Sequence, residues 1–225
     1  MKLKSFGCSF IFGSDLPDDG RNGPYATGSH LTWPALVAKQ MGYEYQTFAR
    51  PGSGNLQILE RLLCQINPAD PAIYVIGWTY IDRFDYVDEK LVTPWPGTKW
   101  KTIVPIDTDN LAETYFRSLH SEYSDKLRSL LYVRTALDTL RRNGCQFVMT
   151  YQDPLMLCRK WHTTKGSALL LDDIEPWLKA FDGKPFLAWS RQEGFDISDA
   201  EHPLESAHQA AADMVLKDWD QYLCL

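Results

Sequence analysis

Residues 72–77, Ala-Ile-Tyr-Val-Ile-Gly, form an unbroken apolar run between Pro71 and Trp78. A strand with one face in water alternates polar and apolar residues. A run without that alternation suits a strand buried on both faces of a parallel sheet. Such a sheet needs helices on either side, and the remaining sequence supplies them. Leu3–Phe6 reads as a first strand, Tyr43–Phe48 as a second and Cys145–Tyr151 as a fourth. Between them, Thr32-Trp33-Pro34 opens a helix to about Met41, and Leu56, Leu59, Leu62, Leu63 and Ile66 mark one face of another. A long helical pattern fills about 111–142 with a possible break near 123–124, a further helix covers Asp172–Ala180, and the last runs from about Pro203 to Tyr222. Strand and helix alternate throughout, which predicts one α/β domain over residues 1–225: a three-layer α/β/α sandwich on a central parallel sheet. The segment at about 82–110, rich in Trp, Pro and Lys and without periodicity, is expected to be an irregular excursion over the active-site side.

Charge and composition exclude several functions. The net charge is −6 and no Lys/Arg run exists to neutralise a phosphate backbone, so nucleic acid is not an expected partner. No apolar stretch approaches the roughly 20 residues that cross a bilayer. Met1-Lys2-Leu3-Lys4 passes directly into the first strand without the apolar core of a secretory signal, so a cytoplasmic protein with no membrane partner is expected. The five cysteines are odd in number and form no Cys-x-x-Cys pair, which favours free thiols over a disulfide framework or zinc site. No metal or cofactor is expected.

In an open parallel sheet, ligands bind beyond the carboxyl ends of the strands. Ser9 follows the first strand there, Gly52 the second, and Gly77-Trp78-Thr79 the third; Asp199-Ala200-Glu201-His202-Pro203 precedes the last helix. A serine hydroxyl needs an adjacent base to attack a carbonyl, and His202 is the best candidate. Asp199, three residues earlier, reaches the ring if the intervening turn is tight. Cys8 and Ser9 point in opposite directions at the strand end, so only one can face the histidine, and Cys8 reads as buried packing.

These motifs resemble the blocks of the SGNH (GDSL-like) hydrolases: Phe6-Gly7-Cys8-Ser9-Phe10 the first, Pro51-Gly52 the second, Asp199-x-x-His202-Pro203 the last. The resemblance implies a flavodoxin-like SGNH-hydrolase fold and a serine esterase or deacylase. It further implies Ser9 as nucleophile, Asp199 and His202 as the acid–base pair, and an O-acyl substrate, for example acetyl on a glycan or a small ester. The third block departs from the family pattern, since Gly77-Trp78-Thr79 lacks the usual Asn. The oxyanion donors are therefore sought in the N–H groups of Ser9 and Gly52, joined by Asn55 or Thr79. Trp78, Arg83 and His208 are candidates for substrate contact, with His208 a reserve base, and Trp95 and Trp100 are compatible with sugar stacking. Two other readings compete: a non-catalytic binding or assembly protein that kept the fold, and a nucleotide binder using the Gly52–Gly54 turn, for which a lone Gly-x-Gly is weak evidence.

Overall fold

In the computed structural model, residues 1–20, 27–90 and 99–225 are described. The chain runs β1 (Lys2–Phe6), α1 (Ser9–Phe12), α2 (Trp33–Gln40), β2 (Glu44–Thr47), α3 (Asn55–Gln65), β3 (Ala72–Trp78), β4 (Phe84–Val87), β5 (Trp100–Ile103), α4 (Asn110–Ser118) and α5 (Glu122–Arg142). It continues with β6 (Gln146–Tyr151), α6 (Lys165–Ile174), β7 (Leu178–Lys179), α7 (Phe186–Gln192), α8 (Glu205–Lys217) and α9 (Trp219–Tyr222). Five strands form a parallel sheet in the order β2-β1-β3-β6-β7. All seven residues of β3 are buried, and alternate side chains enter opposite layers. Tyr74, Ile76 and Trp78 join Ile58, Leu62, Leu130 and Val133 of α3 and α5. Ile73 and Val75 join Trp33, Val37, Ala207 and Ala211 of α2 and α8. This is the predicted α/β/α sandwich, with the flavodoxin-like strand order.

Several boundaries differ from expectation for local reasons. The long helical pattern splits at Leu119–Ser121, where Ser121 accepts from Ser124 N and begins α5 as a new helix. The helix expected over Asp172–Ala180 lies earlier, at Lys165–Ile174, started by a Thr164–Ser167 capping box. The last helix breaks at Asp218. The excursion is less irregular than expected: β4 and β5 pair antiparallel in a separate two-stranded sheet. Four residues per strand are too few to show a period-2 signal in sequence.

This hairpin packs on α4 through Phe84, Ile103 and Tyr115, and one carboxylate ties it to α3. Asp85 accepts from Gly54 N at 2.9 Å, Gln57 N at 3.0 Å, Gln57 Nε2 at 2.9 Å and Thr102 Oγ1 at 2.7 Å. It thereby caps the otherwise uncapped first turn of α3 from another element. Among the described residues, no helix is long and apolar enough to cross a membrane.

Candidate active site

Ser9 is the first residue of α1, directly beyond β1, and is buried. The N-cap position is held by Cys8, whose side chain is fully buried in the α2/α8 layer. The chain can turn so sharply because α1 nests on two glycines. A Cβ at Gly7 or Gly77 would lie 2.5 or 2.6 Å from Ile11 Cγ1. Gly77, read in sequence as part of a functional block, thus lets Ser9 sit over the strand ends.

His202 lies in a tight turn in which Ser198 N donates to the His202 carbonyl at 2.9 Å and His202 N donates to Ser198 Oγ at 3.1 Å. Its ring meets Phe10, the residue after Ser9, edge-on with centroids 5.5 Å apart. The two ends of the chain therefore share one wall of the site, although no hydrogen bond joins Ser9 Oγ to the ring. The carboxylate at the ring is Asp15 rather than the expected Asp199. His202 Nδ1 and Asp15 Oδ2 are 2.7 Å apart, and Ser198 Oγ donates to the same oxygen at 2.7 Å. Asp199 is exposed and makes no hydrogen bond to His202. Within the turn, Ser198 is hydrogen-bonded to both His202 and Asp15, while Asp15 reaches in from the loop after α1 in a left-handed conformation, φ 71°. In the structure Asp18 accepts from Ser29 Oγ and His30 N, and Asp19 from Asp15 N, so the loop's own carboxylates order it. With Nδ1 engaged by Asp15, Nε2 is the nitrogen left without a partner among the described residues, as a general base requires.

On the opposite side, Gly52 is exposed at φ 76°, and no heavy atom lies within 4 Å of where a Cβ would stand. The N–H groups of Ser9 and Gly52 have no acceptor among the described residues. Asn55 does not face the site as a donor: its Nδ2 donates to Thr79 O at 3.3 Å and Ser129 Oγ at 3.1 Å, and its Oδ1 accepts from Thr79 N at 2.8 Å. Both amide hydrogens are thereby used in clamping α3 to the end of β3. The Thr79 hydroxyl is fully buried, closed to a substrate, and has no partner among the described residues.

The three substrate-contact candidates separate. Trp78 is fully buried in the α3/α5 layer, because it shares the strand face of Tyr74 and Ile76. His208 is buried between α2 and α8, where Trp33 N donates to its Nδ1 at 3.1 Å. Burial, and secondarily the charge of His202, pushes its pKa down to about 3. It is a neutral helix cap, which removes the reserve-base reading. Arg83 alone lies at the cleft: its guanidinium stands over the Tyr80 ring at 5.4 Å and donates to Ser53 O at 3.0 Å. Tyr80, not singled out by the sequence, lies 6.4 Å from Phe10 between ring centroids, and burial pushes its hydroxyl up to about 12. It stays a protonated phenol at neutral pH. Trp100 and Gly52 line one small cavity of about 190 Å³, while Trp95 lies outside the described residues. No His/Cys/Asp/Glu cluster suited to a metal occurs among the described residues.

No family model matches the sequence, and no curated protein is significantly similar to it. The fold, by contrast, has clear relatives among solved structures. The psychrotrophic esterase EstA from Pseudoalteromonas sp. aligns over 97% of this chain and 97% of its own at 10% identity, TM-score 0.52. A protein named TesA aligns over 98% and 97% at 14% identity, TM-score 0.52. A carbohydrate esterase family 2 enzyme of Corynascus thermopiles (Myceliophthora fergusii) aligns over 96% of this chain and 64% of its own at 13% identity, TM-score 0.52. The chain has the SGNH-hydrolase fold.

Proposed function

We propose that the protein is a serine ester hydrolase in which Ser9, His202 and Asp15 form the catalytic triad. One observation carries this reading: Asp15 engages Nδ1 of a histidine whose ring rests on Phe10, next to the candidate nucleophile. The names of the structural relatives, two of which are esterases, support the reaction class.

In this mechanism Ser9 Oγ attacks the ester carbonyl as its proton passes to His202 Nε2. Asp15 orients the ring and stabilises the imidazolium. The N–H groups of Ser9 and Gly52 receive the developing oxyanion; one such donor is typically worth about 100–1000-fold in rate. The intermediate collapses as His202 returns the proton to the departing alcohol. Water deprotonated by His202 then cleaves the acyl-Ser9 ester. A direct Ser9–His202 hydrogen bond is not required beforehand, since such contacts are often long without bound substrate. The substrate is an O-acyl ester, with acetyl on a glycan or a small ester as its class.

A fluorophosphonate probe tests the nucleophile. Labelling of the wild-type protein that disappears in Ser9→Ala, together with Ser9-dependent turnover of a small aryl acetate, is the expected result. Labelling that persists in Ser9→Ala overturns the assignment of the nucleophile. A folded protein that neither labels nor turns over esters favours the second reading, a binding protein on the same fold. The occupied Asn55 amide is the observation on that side.

A further inference from the structure

Three arginines converge on the turn that carries Gly52. Arg83 donates to Ser53 O at 3.0 Å, and Arg61 donates through Nη2 to Ser53 Oγ at 2.9 Å and to Gly7 O at 3.3 Å. Arg50 begins the turn, its carbonyl accepting from Ser53 Oγ at 3.0 Å. In a chain of net charge −6 this concentration runs against the overall balance. Carboxylates offset part of it, since Asp85 and Glu60 act on Arg61 and Glu60 on Arg50. Asp85, the buried carboxylate at this turn, already receives four hydrogen bonds from Gly54, Gln57 and Thr102. Neither Arg61 nor Arg83 forms an ion pair with a carboxylate among the described residues. Arg61 is buried, and its Nε–H has no acceptor among the described residues. The acidic groups around the cluster are Glu60, which lines a cavity of about 510 Å³ with Arg50 and Arg61, and Asp82 beside Arg83. Burial, then the nearby Asp153, raises the Asp82 pKa, and Arg83 acts in the opposite sense.

Arg83 is the member placed to meet a substrate. It bridges the two walls of the cleft, standing over Tyr80, which packs near Phe10 and so toward His202, and holding Ser53, the neighbour of Gly52. Among the described residues one of its five N–H donors is engaged, and the group is half-buried. A partly desolvated guanidinium with free donors, inside a positive patch of an acidic protein, attracts and orients anions.

We propose that the ester substrate carries an anionic group, carboxylate or phosphate, and that Arg83 binds it. This rests on the hydrolase reading and adds the substrate's charge class. The test compares kcat/KM for matched esters. One pair places the charge on the acyl side, mono-4-nitrophenyl succinate against its methyl ester. Another places it on the alcohol side, 4-acetoxybenzoate against its methyl ester, with 4-acetoxyphenyl phosphate as the phosphate arm against neutral phenyl acetate. In the wild-type protein at least one anionic ester is expected to be preferred about tenfold or more, an advantage that falls with added salt. In Arg83→Gln the anionic-to-neutral ratio falls toward one, and Arg83→Lys retains part of it because the charge survives without the planar fork. If Arg83→Gln does not fold, the several-fold drop in ratio is read from Arg83→Lys. Arg83 as a mere brace for Tyr80 lowers both members of a pair alike and leaves the ratio unchanged. An unchanged ratio, or a wild-type ratio at or below one in every pair, overturns the proposal while Ser9-dependent turnover of the neutral esters keeps the hydrolase reading. Absence of Ser9-dependent turnover on every ester removes both.

Discussion

Asp15 and Asp199 compete for one role at the level of single side chains, and the two assignments make opposite predictions. An acid that holds Nδ1 fixes the tautomer and stabilises the imidazolium, so its loss falls on kcat. Asp15→Asn is expected to lower kcat by about 100–10,000-fold with little change in KM, because an amide can present an N–H to Nδ1 and favour the wrong tautomer. Asp199→Asn, at an exposed position without contact to the ring, is expected to stay within about twofold of wild type. Steady-state kinetics on an aryl acetate decides between them, and a large kcat loss in Asp199→Asn with none in Asp15→Asn would reverse the assignment. The contrast also shows what single residues reveal. Ser9 and His202 are legible because each sits in a short motif beside a strand end or helix start. Asp15 is not, because its pairing depends on a contact across 187 residues and on a left-handed backbone at a non-glycine position. Asn55 misleads for a related reason: its amide lies at the correct edge of the sheet, but the peptide of Thr79 uses it first.

Elements are joined here by buried polar contacts whose energetics give two further expectations. His208 of α8 receives Trp33 N of α2 and is neutral in the fold, its pKa pressed to about 3 against an ordinary 6.5. The unfolded chain takes up a proton near 6.5, so below that pH it binds more protons than the native state. Stability is therefore lost as pH falls from about 6.5 toward 3, and the group costs nothing near neutrality. At pH 5 the loss is about 2 kcal/mol, or roughly 4–8 °C in Tm for a domain of this size. His208→Gln keeps an acceptor for the Trp33 N–H but does not titrate. Between pH 7 and pH 5 its Tm should fall by that much less than wild type, and parallel falls would refute the account. The second expectation concerns Asp85. Replacing it with Ala leaves Gly54 N and Gln57 N unpaired at the start of α3, at a cost of about 2–4 kcal/mol in urea unfolding. A change under 0.5 kcal/mol would mean that other contacts hold the hairpin. Neither contact is visible in sequence. The long helices are, since caps and apolar faces repeat over many residues, whereas four-residue strands and two-residue β7 carry too little pattern to be recognised.

At the scale of the whole molecule, the order β2-β1-β3-β6-β7 explains why residues so distant in sequence meet: each parallel strand ends at the same edge, and the loops gather there. This much was legible from the apolar run and the strand–helix alternation, because a strand buried on both faces leaves few topologies open. The same arrangement implies an uneven distribution of stability. β3 is buried along its whole length between β1 and β6, while β4 and β5 pair only with each other and reach the domain through Asp85, the Gln57–Thr102 hydrogen bond and a small apolar cluster with α4. Ser9 is therefore mounted beside the most protected strand, and Arg83 on the segment leading into the least protected sheet. Native-state hydrogen exchange should show β3 amides opening only with global unfolding and β4–β5 amides opening at lower free energy. Asp85→Ala should speed exchange in the hairpin well beyond its effect on β1, β3 and β6. Equal acceleration everywhere would mean that the hairpin and the sheet unfold as one unit, and that substrate recognition and the nucleophile cannot be loosened independently.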